Sequence, residues 1–334
     1  MLDDGRIVSK LNFSTMPQGW RIVIAFAAVY LIWGSTYLAI RIAIETIPPF
    51  LMGGIRFLIA GGVLYVTMRW RGVPAPTRTH WRSALIVGGF LLFGGNGGVI
   101  VAEQLVPSGL AALVIATVPL WMTLLNWKWG DRARPNIGVA LGLGLGVVGI
   151  GLIAAPSASA DGSAINPTGA LILISAALMW SIGSLYSRRA HLPSDALLAT
   201  SMEMLAGGAL MLVAGLLIGQ IGQVRLDHVA LRSLAALGYL VVFGSLIGFT
   251  AYVWLLRVSI PARVSTYAFV NPVVAVFLGW MFAGETLSAR ELIAAGLIIL
   301  AVVLITLNQG RGLRQQRPAM TTVEAAEAPL AESL

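Results

Sequence analysis

Residues 20–44, WRIVIAFAAVYLIWGSTYLAIRIAI, are answered 147 positions later by residues 167–190, PTGALILISAALMWSIGSLYSRRA. At that single offset Trp33 falls on Trp180 and Arg41 on Arg188. Each stretch can cross the ~30 Å of a bilayer's hydrocarbon, which takes ~20 helical residues. Outward from this pair the likeness continues, its offset drifting by only a few residues. Ala60-Gly61-Gly62 meets Ala206-Gly207-Gly208, Phe93-Gly94 meets Phe243-Gly244, Pro119 meets Pro272, and Gly130-Asp131 meets Gly284-Glu285. The chain therefore reads as one unit written twice, at 20–156 and 167–308.

Composition says what surrounds those units. The 334 residues are 57% hydrophobic and 11% charged, whereas a soluble domain holds about 45–50% apolar and about 25% charged residues. One globular core cannot bury that excess, so lipid must solvate much of it. Charges avoid the long apolar runs because an ionised group at the bilayer centre costs roughly 2.5–3.5 kcal/mol on insertion scales. Ten segments have spanning length: 20–44, 50–70, 82–104, 109–129, 136–156, 167–190, 195–220, 229–256, 261–282 and 287–308. Pro48-Pro49, Pro74, Pro76, Pro107, Pro135, Pro167, Pro193 and Pro261 mark the connections. The first run is too long, and too poorly closed by small residues, for a cleaved signal. Residues 1–19 are expected to be a cytoplasmic N-terminal segment, and the basic, then Ala/Glu-rich 309–334 a disordered cytoplasmic tail.

The net charge of +8 raises nucleic acid as a partner. Lys and Arg sit in short clusters between apolar runs rather than on one polar face, so no nucleic acid is expected. With no Cys, disulfides and thiolate metal sites are excluded. His80, His191 and His228 are assigned to connecting segments, so neither metal nor cofactor is expected. Alternating loops divide the cations unevenly. Seventeen fall on one side, three (Arg225, Arg232, Arg290) on the other, and Arg41 and Arg56 lie within spans. The positive-inside rule then makes both termini cytoplasmic.

Five spans per unit is an odd number, so the second unit enters the membrane from the opposite face. The expected fold is an all-α membrane protein of ten transmembrane helices, arranged as two inverted five-helix repeats around a central cavity. Such repeats around a midplane site are a common plan for secondary transporters, because exchanging the conformations of the halves exchanges the openings. Candidate cavity residues follow from depth and chemistry: Trp33, Tyr37, Asn96, Thr117, Pro119 and Trp121 in the first unit, and Trp180, Ser184, Ser245, Tyr252, Tyr267, Asn271 and Pro272 in the second. A mid-helix proline releases the carbonyl four residues earlier, which membranes tolerate beside protein, hydroxyls or cavity water. The aligned pair Pro119 and Pro272 marks either a site or two structural kinks. Asn96, within Gly94-Gly95-Asn96-Gly97-Gly98, serves either a solute or a neighbouring helix. Tyr and Trp offer rings to apolar groups and OH or NH to polar ones, although Tyr252 also has a purely structural reading. Trp20, Trp70, Trp81, Trp127 and Trp129 read as interfacial anchors.

Charges within spans form two belts. Arg41, Glu45, Arg56 and Glu103 lie toward the outer ends of their helices, and Arg188 and Glu203 toward the inner. Ion pairs that break and form as the cavity alternates would use Arg41, Arg56, Glu103, Arg188 and Glu203, with Arg56–Glu103 as one pair. Static pairing or snorkelling side chains explain the same placement. Glu103 or Glu203 is the candidate for a coupling proton.

Trp33-Gly-Ser-Thr-Tyr37, Pro48-Pro49, Gly54-Ile-Arg56-Phe57, Ala102-Glu103, Pro107-Ser-Gly109, Ala116-Thr-Val-Pro119, Val270-Asn-Pro272 and Gly284-Glu-Thr-Leu-Ser288 together resemble the EamA branch of the drug/metabolite transporter superfamily. Their order and spacing are closest to its YedA-like exporters, and the likeness covers about 20–308. It implies ten helices around a central cavity, residence in the bacterial inner membrane as a multi-pass protein, and export of amino acids or related metabolites.

Other signals are discounted. Gly144-Leu-Gly146-Val-Val-Gly149 matches a dinucleotide pattern but lies within an apolar helix and follows no strand. The ladder Gly138, Gly142, Gly146 reads as small-residue packing, within one chain or across a homodimer. No P-loop or nucleophile elbow is present. A small-molecule solute and the lipid bilayer are thus the expected partners. Two alternatives stay open: a proton- or ion-conducting channel, which would want a continuous polar pore, and a membrane-embedded enzyme, which would want convergent catalytic groups. Glu103 and Glu203 point to opposite faces and fit the enzyme poorly.

Overall fold

The structure, a computed structural model, describes residues 16–129, 136–154, 166–259, 264, 267–285 and 288–315. Its helices are α1 (Gln18–Ala43), α2 (Pro49–Trp70), α3 (Arg78–Ala102), α4 (Ser108–Lys128), α5 (Ile137–Ala154), α6 (Pro167–Ser187), α7 (Ala196–Leu217), α8 (Leu231–Leu256), α9 (Tyr267–Ala283) and α10 (Ala289–Gln315). Seven, α1–α4 and α6–α8, are long and apolar enough to cross a membrane, and α5, α9 and α10 contain shorter apolar helices. Among the described residues there is no strand. The chain is an all-helical, multi-pass membrane protein. Its outer surface agrees: Trp70, Leu217 and Leu231 are each over 80% exposed, which only a lipid solvent makes favourable.

Local chemistry sets the helix ends. Pro49 and Pro167 occupy first-turn positions, where the missing N–H would be unpaired anyway. Asn166 accepts from the N–H groups of Thr168 and Gly169 at 3.0 and 3.3 Å, and Asp195 from Leu197 and Leu198 at 2.9 Å each. α3 begins earlier than the apolar run suggests, at Arg78 instead of 82. Thr77 and His80 form a reciprocal capping box, with His80 N donating to Thr77 Oγ1 at 3.3 Å and Thr77 N to His80 Nδ1 at 3.2 Å. His80 therefore belongs to a helix rather than a connection. α10 runs past Asn308 to Gln315. The expectations for residues 1–15 and 316–334 lie outside the described residues.

Helices pack in reciprocal pairs. α1 lies against α8 and α9, while α6 lies against α3 and α4. α2 packs on α7, and α5 on α10. The α2–α7 contact is close because glycines remove side chains from it: a Cβ on Gly61 would come within 2.9 Å of Ser201 O, and one on Gly208 within 3.1 Å of Gly54 O. The glycine ladder of α5 faces α10 in the same way, with Gly138 against Asn308, Gly142 against Ile305 and Gly149 against Ile298. Gly146 meets Leu120 of α4. The ladder is therefore spent within one chain.

Candidate functional site

Two helices lose their regular winding at matching places. α3 is π-helical over Gly89–Asn96 and α8 over Leu240–Ile247. π turns insert an extra residue, weaken the backbone ladder and often occur at functional sites. Each receives a tryptophan from the first helix of the other unit. Trp33 of α1 donates from Nε1 to Gly244 O at 3.2 Å, and a Cβ on Gly248 would come within 2.5 Å of that nitrogen. Trp180 of α6 lies over Gly95, where an added Cβ would come within 2.9 Å of the ring. Around Trp33 the rings of Phe249, Tyr252 and Tyr267 stand 5.1–5.2 Å away between centroids, and Tyr252 lies 5.7 Å from Tyr267. Edge-on and tilted arrangements dominate, as aromatic quadrupoles favour.

One end of the bundle is laced with polar contacts. Arg41 Nη1 donates to the carbonyls of Glu103 and Val106 at 2.8 and 3.0 Å, capping the C-terminal end of α3 with a cation. Its Nε stands 3.8 Å from Glu285 Oε1. Glu285 caps the start of α4: Oε1 accepts from Ser108 N at 2.8 Å, and Oε2 from Ser108 Oγ and Gly109 N at 3.0 Å each. At the same end Gln220 accepts from Phe50 N at 3.0 Å, Ser233 Oγ donates to Ile42 O at 2.8 Å, and Arg232 stands 3.8 Å from Glu45.

Just inside this cap are the two most buried charged residues among those described. Arg56 is 3% exposed and Glu103 1%. Arg56 donates from Nε to Ser245 Oγ at 3.0 Å, and its guanidinium lies 4.7 Å from the Phe57 ring centre. Among the described residues its Nη1 and both Glu103 carboxylate oxygens have no hydrogen-bond partner. Glu103 is within Coulombic reach of Arg56, Arg41, Glu285 and Tyr37. The Arg56–Glu103 ion pair expected from the sequence is not made in this conformation, because Ser245 holds the guanidinium.

The remaining candidates separate. Thr117 is fully buried at the break between Ile115 and Val118, bonding Val114 O at 2.6 Å and accepting from Trp121 Nε1 at 3.2 Å. Pro119 produces that break. Pro272 does not produce one, since α9 runs through it. Asn271 is buried, and its amide reaches the carbonyls of Tyr267 and Tyr30 at 3.3 and 3.2 Å. Tyr37 and Tyr267 are within electrostatic reach of each other. Asn96 and Ser184 are half-buried, and Ser184 lends its carbonyl to Ser187. Arg188 is exposed at the end of α6, and neither it nor Glu203 joins an ion pair among the described residues. A lateral groove of about 500 Å³ opens between α1, α8 and α9, with Ser35 bonded to Tyr239 at 2.6 Å on its wall. Glu285, Phe249 and Gly248 were not among the sequence candidates. Only Glu285 had a signal, as half of the Gly284-Glu285 step that pairs with Gly130-Asp131.

Comparison with known proteins agrees with this architecture. The EamA-like transporter family matches the chain twice, at residues 20–155 and 167–307. The chain is 41% identical over 305 residues to the inner membrane transporter YedA of Escherichia coli K12, covering 90% of this chain and 94% of that one. It is 23% identical over 283 residues to a protein of Salmonella typhimurium LT2 named "Probable amino-acid metabolite efflux pump", covering 81% and 90%. A solved crystal structure of a protein 23% identical shares the fold with a TM-score of 0.60, covering 87% of this chain and 98% of that one.

Proposed function

The chain belongs to the EamA-like transporter family, and on that premise we propose that it is a secondary carrier exporting a small solute by alternating access. Ten helices cross the membrane, the seven long ones together with α5, α9 and α10, as two five-helix repeats of opposite orientation. Both termini face the cytoplasm, so the laced end lies at the outer face and is the closed gate. The observation that carries this reading is the reciprocal seating of Trp33 on the π turn of α8 and Trp180 on that of α3. Two copies of one unit related by a two-fold axis in the membrane plane would meet in this way. The reciprocal pairs α1–α8 and α6–α3, and α1–α9 and α6–α4, support the same axis.

The solute path runs between the π turns. It is lined by Trp33, Tyr37, Asn96, Thr117, Trp121, Trp180, Ser184, Ser245, Tyr252, Tyr267 and Asn271, with Pro119 at the break in α4 and Pro272 within the unbroken α9. Arg41, Arg56 and Glu103 serve the outer gate, Arg188 and Glu203 the inner. Rings beside isolated hydroxyls and amides suit amphipathic metabolites, amino acids among them, and the name of the Salmonella relative is consistent with that class.

Purified protein in liposomes should catalyse saturable counterflow of such a solute. Conductance without exchange would make it a channel, and turnover of a labelled compound without translocation an enzyme. Because the chain has no Cys, single cysteines report topology cleanly. One before residue 16 and one between 157 and 165 should react from opposite faces; reaction from the same face ends the inverted-repeat reading.

A further inference from the structure

The charges at the outer end are not equally committed. Arg41 spends Nη1 on two carbonyls and turns Nε to Glu285, and Glu285 spends both oxygens on the start of α4. Among the described residues Arg56 Nη1 and both Glu103 oxygens have no partner, although both side chains are at least 97% buried. A buried ionised group without partners costs several kcal/mol, and membrane helices keep such groups where function requires them. These two stand within Coulombic reach, yet no N–O distance between them falls within 4.0 Å. One guanidinium nitrogen and one carboxyl group, both buried, without partners and more than 4.0 Å from each other, can each take one end of a molecule that carries an anionic and a cationic group.

We propose that Arg56 and Glu103 form a two-ended recognition site for a zwitterion, Arg56 taking a carboxylate and Glu103 a primary ammonium. This deepens the carrier reading and rests on it. Ser245 and Gly244 are adjacent on the π turn of α8. Arg56 bonds the first, and Trp33 binds the carbonyl of the second. The charged site therefore adjoins the aromatic cluster, which would receive the solute's side chain. A solute with one charge would leave either Arg56 or Glu103 buried and unmatched, and desolvating the unmatched partner is what rejects near-isosteres strongly.

The test uses matched triads: L-phenylalanine, phenethylamine and 3-phenylpropanoate; L-leucine, isopentylamine and 4-methylpentanoate; and L-threonine with its decarboxylated and deaminated analogues. Binding to the purified full chain in nanodiscs is read from thermal unfolding by tryptophan emission. At least one zwitterion should bind at least tenfold more tightly than either of its singly charged analogues. Glu103→Gln should weaken that zwitterion at least tenfold and tighten the matched acid, which no longer leaves a carboxylate unmatched; Arg56→Gln should weaken the zwitterion and tighten the matched amine. The unmodified chain carries the first comparison, so a variant that fails to fold does not remove the test. A singly charged analogue binding as well as its zwitterion, no zwitterion binding, or full affinity retained in Glu103→Gln would each overturn the site. Saturable exchange in liposomes scores the carrier reading separately. Exchange of a singly charged solute without zwitterion binding sinks only the site, whereas zwitterion binding with no exchange of any compound sinks only the carrier.

Discussion

Glu285→Ala should loosen the outer gate without unfolding the protein. The carboxylate accepts two backbone N–H groups and one hydroxyl at the start of α4, with Arg41 alongside. Removing a helix N-cap costs about 0.5–2 kcal/mol, and an anion at a helix N-terminus contributes about 0.3–1 kcal/mol more. Burial raises the value and rehydration of the freed donors lowers it, so about 2–3 kcal/mol is the expected loss. If the contact belongs to the closed state alone, that loss shifts the gating equilibrium by about 30- to 150-fold, at 1.4 kcal/mol per factor of ten. The readout is a single cysteine introduced by Val106→Cys. Val106 is 2% exposed within the gate, where Arg41 holds its carbonyl, and modification of the substituted position by an impermeant maleimide added outside reports opening. The rate should rise by one to two orders of magnitude in Glu285→Ala. An unchanged rate accompanied by a lower Tm would refute the reasoning, because the cap would then be a static feature of every state.

Gly88→Ala should abolish folding, because the new Cβ would come within 2.5 Å of Glu203 O, a backbone atom of a packed helix; expression and monodispersity in detergent check it. Gly62→Ala, with nothing within 4 Å of the added carbon, should instead raise Tm slightly, since Ala is better than Gly in a helix by about 0.8–1 kcal/mol. Gly248→Ala should push Trp33 off the π turn, costing about 1–3 kcal/mol as overpacking does, and a shifted tryptophan emission maximum should accompany the lower Tm.

How much of this was legible in sequence depends on what each feature needs. Helices follow from apolar length and their correspondence between the two units from the repeat, both written in residue order, whereas which helix packs on which does not. Trp33 and Trp180 could be singled out because they align, and the break at Pro119 because a proline well inside a helix leaves the carbonyl of Ile115 without its donor. Pro272 carries the same chemistry, yet α9 continues through it unbroken. The π turns were not legible. Gly94–Gly98 hints at irregular winding, yet Leu240–Ile247 contains one glycine and reads as an ordinary apolar helix. Partner choice was equally hidden. Arg56 could be assigned to Glu103 by charge, but Ser245, 189 residues away, wins it by proximity. Glu285 looked like a loop residue because its three donors belong to a helix start 176 residues earlier.

That last contact has a counterpart written in the repeat. Gly284-Glu285 follows the fourth helix of its unit and crosses to cap α4, the fourth helix of the other. Gly130-Asp131 stands at the matching place after α4; residue 131 lies outside the described residues, so the expectation rests on the alignment. If the halves exchange conformations during transport, Asp131 should lock the inner end in the state in which Glu285 has released the outer end. Removing it then destabilises the outward-open state, and its effect on labelling at position 106 must have the opposite sign. Glu285→Ala should speed external labelling, Asp131→Ala should slow it, and the double variant should return toward the parent, since losses of similar size on both sides of one equilibrium cancel. Acceleration by both variants would mean that each carboxylate only stabilises its own loop. No effect from Asp131→Ala would mean that the second unit closes by a different contact, and the two-fold relation would then hold for the helices but not for the gates.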